Sequence, residues 1–244
     1  MRPLIPLLAS LLLPLAAPAH AGNFQASPVR VDLSEAARSV LVQLVNRGAE
    51  PVRLQVTTFT WGEGRDGTMQ LAPSDDIVVF PSLLELAPGE SRKIRVGMSA
   101  VPSDRERSYR MIVEELPAAT VARGTVAIRM RLSLPVFAGP ARARPQLSVD
   151  APRLSGRSVA LSLANNGQAH LKVGAISVSG ERDGHAPVTT NLVGWYLLPG
   201  GRRDYRVELP PGPGCIQRIH VRVESDGAQP IDLSQPVGDG SCHR

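Results

Sequence analysis

The chain has 244 residues, a formal net charge of +5 and 4% aromatic residues. Its basic residues are scattered rather than clustered, which favours a solvated surface of mixed charge and argues against nucleic-acid binding. Without a leader, the remaining length suits two domains of about 100 residues each better than one long sandwich.

The first 21 residues have the pattern of an export signal. Arg2 supplies a positive charge, residues 4–17 are mostly apolar, and Ala21 ends a small-x-small cleavage site. Pro14 interrupts the apolar run, which is too short for a comfortable membrane span. We therefore expect residues 1–21 to be a cleaved signal peptide and the mature chain to be exported in soluble form, without membrane insertion.

The mature chain reads as all-β, in two consecutive sets of short strands. Runs rich in Val, Ile, Leu and Thr alternate with turn signals such as Asn46-Arg47-Gly48, and no long helical periodicity is present. Strands at this spacing are typical of an immunoglobulin-like sandwich. The predicted strands of the first set are 29–33, 39–46, 52–61, 77–80, 92–97, 109–116 and 125–137.

A linker and a second, smaller β-sandwich are predicted to follow. The Ala/Arg segment 141–145 ends in a proline and has the composition of a linker. We predict a first domain over residues 22–140 and a second domain over residues 146–244. The predicted strands of the second set are 146–149, 158–165, 172–179, 188–190, 203–209, 216–225 and 231–233.

The stretch from Gly124 to Phe137 alternates apolar and polar residues, which predicts a strand with two unlike faces. Pro135 has no N–H to donate, so we expect this strand to lie at a sheet edge, at least at its C-terminal end. An apolar edge strand invites pairing with another chain, although an ordinary core strand is the alternative. The apolar positions are Val126, Ile128, Met130, Leu132 and Leu134.

Two cysteines, Cys215 and Cys242, are present in a chain that is expected to be exported, and they most simply form one disulfide. The bond would close a loop of 28 residues. Chain-entropy arithmetic gives about 3.5 kcal/mol of stabilisation for such a loop. A metal site at the cysteines is not expected, because no histidine lies at ligand spacing from either of them.

No catalytic constellation is recognisable. The chain has no Gly-x-Ser-x-Gly elbow, no His-Glu-x-x-His and no phosphate-binding glycine loop, so we expect neither an enzyme nor a cofactor. Trp61 and Trp195 could each bind a sugar face, although packing one in each domain is the commoner use of tryptophan. An exported carbohydrate-binding or adhesive β-sandwich module therefore stays open as an alternative function.

Several motifs together resemble those of the periplasmic pilus-assembly chaperones of the chaperone–usher pathway, the PapD-like family. Residues 25–33, QASPVRVDL, resemble the family's opening strand, and residues 102–117, PSDRERSYRMIVEELP, resemble its signature around the sixth strand. The final PVF of the stretch that ends at Phe137 is similar to the archaic, spore-coat-like or Csu-like branch. Weaker similarity is present at residues 79–81, 86–96 and 224–228.

The resemblance implies a periplasmic protein of two immunoglobulin-like domains, set at an angle with a cleft between them. It also implies that the strand containing Val126, Ile128, Met130 and Leu132 is lent to a pilus subunit that lacks its own last strand. The loaded chaperone would then dock on an outer-membrane usher, without any nucleotide. Whether the free chaperone caps its own edge strand by dimerising stays open.

The resemblance also suggests site residues. A basic residue of the cleft would anchor the C-terminal carboxylate of the subunit, and Arg30 matches the arginine of the family's first strand. Ser133 occupies the position of the family's second basic residue, so Arg131 is the candidate replacement, although alternation places it on the opposite face from Met130. Glu106 and Asp226 match interdomain or structural positions of the family.

Overall fold

The computed structural model describes residues 24–102, 104–117 and 128–238, and every element within these ranges is a β-strand. The predicted signal peptide, Val126 and Cys242 lie outside the described residues. No helix capable of spanning a membrane is found in the described part of the chain. The prediction of an all-β fold is confirmed.

The first ten strands form two sheets packed face to face. One sheet has the order β1-β3-β8-β6, and the other has the order β2-β10-β9-β4-β5, with β7 also paired to β4. Alternate side chains of both sheets point inward and are fully buried in one core, as are those of Val42, Ile94 and Met111. The strands are β1 (Phe24–Ser27), β2 (Val31–Leu33), β3 (Ser39–Asn46), β4 (Val52–Glu63), β5 (Met69–Pro73), β6 (Ile77–Phe80), β7 (Leu83–Leu86), β8 (Ser91–Met98), β9 (Arg107–Glu115) and β10 (Arg131–Ala138).

The remaining nine strands form a second sandwich with its own core. In one sheet β13 pairs with β11, β12 and β17, and the other sheet has the order β15-β14-β18-β19, with β16 also paired to β14. The strands are β11 (Leu147–Val149), β12 (Arg153–Ser155), β13 (Ser158–Asn165), β14 (Leu171–Arg182), β15 (His185–Val193), β16 (Tyr196–Leu197), β17 (Arg202–Glu208), β18 (Ile216–Ser225) and β19 (Ile231–Pro236).

The predicted strand bounds match the structure best where apolar and polar residues alternate clearly along the strand. Strands β3, β6, β13 and β18 have the predicted bounds, whereas β5, β7, β12 and β16 were not predicted. All five residues of β5 are exposed, and β16 has only two residues, so neither produces a clear hydrophobic pattern. The predicted strand 29–33 contains β2 at its end, directly after the chain has crossed from the sheet of β1 to the sheet of β2.

The edge position of β10 differs from the prediction. Its last three residues pair with β2 on one side and β9 on the other, with Val136 opposite Val31. Only the N-terminal part, from Arg131 to Pro135, is paired on one side alone, with β9. The prediction of an edge at the C-terminal end is therefore wrong. After β1 the chain crosses to the sheet of β10, and there β2 pairs with β10 directly after Pro135.

The segment between the two sandwiches is anchored to the second one. The carbonyl of Arg144 accepts a hydrogen bond from the N–H of Gln168 at 2.9 Å. A Cβ at Gly167 would lie 2.4 Å from that carbonyl oxygen, so only glycine permits this approach. The carbonyl of Gln168 in turn accepts from the N–H of Glu106 at 2.9 Å, which ties the segment before β9 to the same turn.

Candidate functional site

An open apolar groove runs between the sheet edges of the first sandwich. Its volume is about 540 Å³. Strand β1 forms one rim as the last strand of its sheet, and the singly paired part of β10 forms the other. The apolar side chains that line it are Phe24, Ala26, Val29, Val45, Leu132 and Leu134.

The predicted donor residues form a gradient of burial along this rim. Ile128 is 56% exposed, Met130 and Leu132 are half-buried against the core, and Leu134 is 6% exposed. The side chains of Met130, Leu132 and Leu134 therefore lie on the core side of the strand, at the margin of the protein's own core, whereas most of Ile128 is open to solvent. The apolar side chains from Ile128 to Leu134 thus form neither a fully buried core strand nor a fully exposed surface.

The two predicted anchor cations are exposed and are not close together. The Nε of Arg30 donates to Asp32 at 2.9 Å, and the Nε of Arg131 lies 3.8 Å from the Glu114 carboxylate. Continuing the parallel register of β2 and β10 by one residue places Arg30 beside Pro135, four residues beyond Arg131. At the rise of a β-strand, that offset is about 13 Å.

A third arginine, which sequence analysis did not select, lies in the cleft between the sandwiches. Arg110 lies opposite Pro135 in the β9–β10 register and is 3% exposed. Its Cζ lies 3.6 Å from the ring centroid of Trp61 and 5.8 Å from that of Trp195. Neither its Nε nor its Nη2 has a hydrogen-bond partner. Arg110 is therefore a buried cation with free donors.

The electrostatics around Arg110 are unbalanced. Burial lowers the pKa of the Arg110 guanidinium, and only partial compensation comes from Tyr196 and Glu63. Burial also raises the pKa of the Glu63 carboxyl, against the lowering effects of Arg203, Arg110 and a hydrogen bond from Trp195. One Glu63 oxygen, Oε1, is buried without a partner. The site could therefore accept a further anion at Arg110.

Aromatic residues join the two sandwiches beside this cation. Trp61, Phe137 and Leu198 form a small buried cluster, with Tyr196 packed against it. The His170 ring stacks on Phe137 with centroids 3.4 Å apart and an interplanar angle of 7°. Phe137 belongs to β10, so this contact connects the end of that strand to the second sandwich.

Glu106 and Asp226 occupy different environments. The carboxylate of Glu106 accepts from the N–H of His170 at 2.9 Å, and both its oxygens lie 2.9 Å from His170 Nδ1. It therefore bridges the two sandwiches. Asp226 accepts from the N–H of Lys172 and donates its own N–H to the Lys172 carbonyl, so its contacts lie within the second sandwich.

The remaining sequence predictions fall in less informative places. Trp61 is 4% exposed and cannot offer its ring to a sugar, whereas Trp195 is 40% exposed. Cys215 is engaged rather than free, and its predicted partner Cys242 lies outside the described residues. No group of potential metal ligands is present among residues 24–102, 104–117 and 128–238.

The protein has two immunoglobulin-like sandwiches, an open apolar groove beside a strand edge, and a basic cleft. This arrangement defines a class of proteins that pair a strand edge with another chain. The model of the pili and flagellar-assembly chaperones, PapD N-terminal domain, matches residues 23–144, which is half of the chain. The chain belongs to this chaperone family. No protein of curated function matches the chain.

Solved structures share the fold of both sandwiches. A chain of the CsuC–CsuE chaperone–tip adhesion subunit complex, from archaic Csu pili of Acinetobacter baumannii, has 22% identity and a TM-score of 0.60, with 87% of this chain and 97% of that chain covered. The class 5 fimbriae chaperone CfaA has 16% identity and a TM-score of 0.58, covering 88% and 98%. The E. coli chaperone DraB has 18% identity and a TM-score of 0.56, covering 90% and 99%.

Proposed function

We propose that the protein is a periplasmic chaperone that captures fimbrial subunits by lending them β10 and the segment from Val126 that precedes it. The observation that carries the proposal is the open apolar groove between β1 and β10, in a chain of the pilus-chaperone family. Two unpaired sheet edges flank this groove, so a partner chain can add backbone hydrogen bonds there. An adhesive module is disfavoured, since the family that matches is one of chaperones and Trp61, one of the two candidate sugar-binding residues, is buried.

The gradient of burial supports different roles for the two ends of the lent strand. Leu134 stays in the chaperone's own core, whereas Ile128 offers most of its side chain to a partner. Val126, which lies outside the described residues, would extend the same stripe. The main chain supplies pairing to any extended partner, and the alternating apolar side chains select a subunit whose core lacks a strand.

We assign the anchor of the subunit's C-terminal carboxylate to Arg110 rather than to Arg30 or Arg131. Arg110 is the cation whose guanidinium is buried and lacks hydrogen-bond partners, while the other two already pair with neighbouring acids. A carboxylate at Arg110 would receive charge-assisted hydrogen bonds in a desolvated cleft. Arg110 lies opposite Pro135, where the singly paired part of β10 ends. A chain end bound there would lie at that end of the lent strand.

The rest of the pathway follows from the same proposal. Export by the signal peptide at residues 1–21 brings the protein to the periplasm, where Cys215 and Cys242 can form a disulfide. An outer-membrane usher receives the loaded chaperone, and no cofactor takes part. The free protein either stays monomeric or covers the exposed edge of β10 by pairing with a second copy.

The largest expected effect is on subunit capture by Ile128→Asp. The side chain is 56% exposed in the free protein, so the change should alter the free energy of unfolding by under about 0.5 kcal/mol. In the complex it would bury an unpaired charge in an apolar groove, and capture should fall below detection. The measurement is co-purification of a fimbrial subunit, together with the melting temperature of the free variant.

Arg129→Ser is the matched control, since it changes the formal charge by the same single unit one residue along, on the other side of the chain. It should leave capture largely intact. Collapse of the melting transition in Ile128→Asp would show that Ile128 serves the protein's own core. Equal loss of capture in both variants would point to charge rather than to the apolar stripe.

The anchor assignment is tested by comparing Arg110→Lys with Arg30→Lys. Lysine keeps the charge but not the bidentate geometry, so Arg110→Lys should weaken subunit binding by about 2 kcal/mol. Arg30→Lys should change binding by less than about 0.5 kcal/mol, because Arg30 is exposed. Dissociation rates of the purified complexes provide the readout, and the reverse order would return the anchor to Arg30.

A further inference from the structure

The second sandwich presents exposed apolar side chains beside the cation of the cleft. Val193 is 92% exposed, the highest value among the large apolar side chains that the structure describes, and Trp195 is 40% exposed. Scattered exposed apolar residues are ordinary on protein surfaces. What distinguishes Trp195 is its position, because its ring centroid lies only 5.8 Å from the Cζ of Arg110. Val193 precedes it by two residues.

The backbone of this segment is held in place. The N–H of Gly194 donates to the Gly174 carbonyl at 2.8 Å, and the N–H of Val173 donates to the Trp195 carbonyl at 2.9 Å. An extended backbone places residues 193 and 195 on the same side. A Cβ at Gly194 would lie 2.4 Å from Val173 Cγ1, so the segment packs directly on its neighbour.

The Trp195 ring is held on two sides. It contacts Tyr196 edge-on, with centroids 5.7 Å apart and an interplanar angle of 88°, and the Arg110 guanidinium lies near it, with Cζ 5.8 Å from the ring centroid. The remainder of the ring is open to solvent. Trp195 and Val193 thus form a fixed apolar surface, called the Trp195 wall below, beside the unpaired guanidinium of Arg110.

We infer that Trp195 and Val193 select the side chain of the last residue of the captured subunit, and that they favour an apolar one. The inference rests on the proposed function, with the terminal carboxylate held by Arg110. The terminal carboxylate and the terminal side chain share one Cα, so a chain end held at Arg110 brings its last side chain to the Trp195 wall. An apolar side chain would cover the indole, whereas a polar one would lose water there without gaining a partner.

Charge sharpens the selection. The Glu63 carboxylate acts electrostatically on Arg110, and Glu63 lies two residues after Trp61 in β4, on the same side of the strand. A terminal aspartate or glutamate would add a side-chain carboxylate to the terminal one, and only the terminal one has Arg110 as its partner. Like charges in a partly desolvated cleft repel. The site therefore excludes acidic terminal residues as well as favouring apolar ones.

The test uses four dye-labelled hexapeptides with one alternating Val/Thr body. Two end in Phe and two in Ser, and each pair has one member with a free carboxylate and one with an amide. Binding to the full mature protein is measured by fluorescence anisotropy. We expect the Phe acid to bind about tenfold tighter than the Ser acid, and both amides to bind more weakly than their acids.

Two variants locate the preference. Trp195→Ala should abolish the difference between Phe and Ser while keeping the difference between acid and amide. Trp195→Phe keeps an aromatic wall without the indole N–H, and it should retain the preference for Phe. Val193→Ser should reduce the preference by a smaller factor, since an isopropyl group offers less apolar surface than an indole ring.

The outcomes separate the inference from its premise. Equal binding of the Phe and Ser acids, or a Phe preference that survives in Trp195→Ala, overturns the selection by Trp195. Equal binding of acids and amides, or no binding of any peptide, overturns both the anchor at Arg110 and the inference. Retained subunit capture in that last case would show that the lent strand functions without this anchor.

Discussion

The two sandwiches share one local frame, which is clearest at a buried asparagine. Asn46 and Asn165 each end a long strand and are 1% and 0% exposed. The side-chain amide of Asn46 donates to the carbonyls of Glu50 and Leu86, and its Oδ1 accepts from the Gly48 N–H. Asn165 makes the same three bonds, to Ala169, Leu197 and Gly167.

The frame extends to the turn that faces each asparagine. Gly89 donates its N–H to the Asn46 carbonyl at 3.0 Å, and Gly200 donates to the Asn165 carbonyl at 2.9 Å. Both glycines have positive φ, 76° and 75°, which favours glycine at this turn. The two domains are therefore variations on one immunoglobulin-like frame.

The last strands of the two domains differ in the connection that precedes them, although β19 also has a neighbour, β18, on one side alone. Strand β18 ends at Ser225 and β19 begins at Ile231, so the two form a close antiparallel pair along all six residues of β19. Strand β9 ends at Glu115 and β10 begins only at Arg131, and the first five residues of β10 have a neighbour on one side alone.

The free sides of the two strands also differ in chemistry. Asp232 in β19 pairs with Arg222 at 2.9 Å, and charged side chains on an edge discourage pairing with other chains. The free side of β10 instead opens onto the groove lined by Leu132 and Leu134. Both last strands thus have a free side, and only that of β10 offers an apolar groove to a partner chain.

The strongest test of this comparison removes the shared asparagine from each domain in turn. Asn46→Ala and Asn165→Ala should each lower the free energy of unfolding by about 3 kcal/mol, since each leaves a buried carbonyl and a turn N–H unpaired. Asn46→Ala should also abolish subunit capture, whereas Asn165→Ala should only weaken it. Urea unfolding and co-purification provide the two measurements.

Asn46→Asp refines the result, because the carboxylate still accepts from Gly48 but can no longer donate to Leu86. It should therefore be at least as damaging as Asn46→Ala, owing to the added buried charge. A loss below about 1 kcal/mol in either alanine variant would show that the shared hydrogen bonds are not what holds the frame.

Sequence reasoning reached the shared fold but not its internal repeat. Alternation predicted β3 and β13 with correct bounds, and the sequence Leu-x-Pro-Gly occurs at residues 86–89 and again at 197–200. Comparison of these two segments with Asn46 and Asn165 would have revealed the repeat. The edge of β10 was misplaced because strand pairing between sheets depends on distant segments such as β2, which leave no mark in the local pattern.

Arg110 was missed for a different reason. Alternation in β9 places this arginine on the face opposite the core residues Tyr109 and Met111. Its significance depends on Trp61 and Glu63 of β4 and on Trp195, which come from two other places in the chain. Arg30 and Arg131 were selected by resemblance, and the structure finds both exposed. Burial and missing partners are properties of the folded cleft, which a linear pattern does not contain.

The next prediction concerns what couples the two domains. The side chains of His170 and Glu106 are only 12% and 11% exposed, and His170 also stacks on Phe137 of β10. His170→Ala should cost about 1–2 kcal/mol, because it leaves the Glu106 carboxylate without its imidazole partner. Calorimetry should show the two domains melting farther apart in temperature than in the wild type.

His220→Ala is the control. This histidine lies on β18 and reaches Glu181 at 3.2 Å, but it is exposed and has no contact with the first domain among the described residues. The change should cost less than about 0.5 kcal/mol and leave the two melting transitions unchanged. Equal effects of the two histidine variants would remove His170 from the coupling of the domains.

The smallest expected effect is a difference in how the stability of the first domain depends on pH through two carboxylates, those of Glu63 and Glu90. Burial raises the folded-state pKa of Glu63 above its ordinary value of 4.5. The stability that this group contributes is thus present below pH 4.5 and is lost as the pH rises through the raised value. Glu63→Gln should therefore gain on the wild type as the pH rises from about 4.5, followed as the difference between their urea midpoints.

Glu90 should show the opposite sign, and it also marks a difference between the domains, since Gly201 takes its place opposite Asn165. A hydrogen bond from the Ala87 N–H, followed by one from Arg92, lowers the pKa of Glu90 below 4.5. Its contribution is present above the unfolded value and is lost as the pH falls through the folded one. Glu90→Gln should therefore fall behind the wild type as the pH rises from about 3 to 5. Parallel pH profiles for the two variants would contradict the burial of Glu63 in the cleft, because that burial is the reason why its pKa moves in the opposite direction.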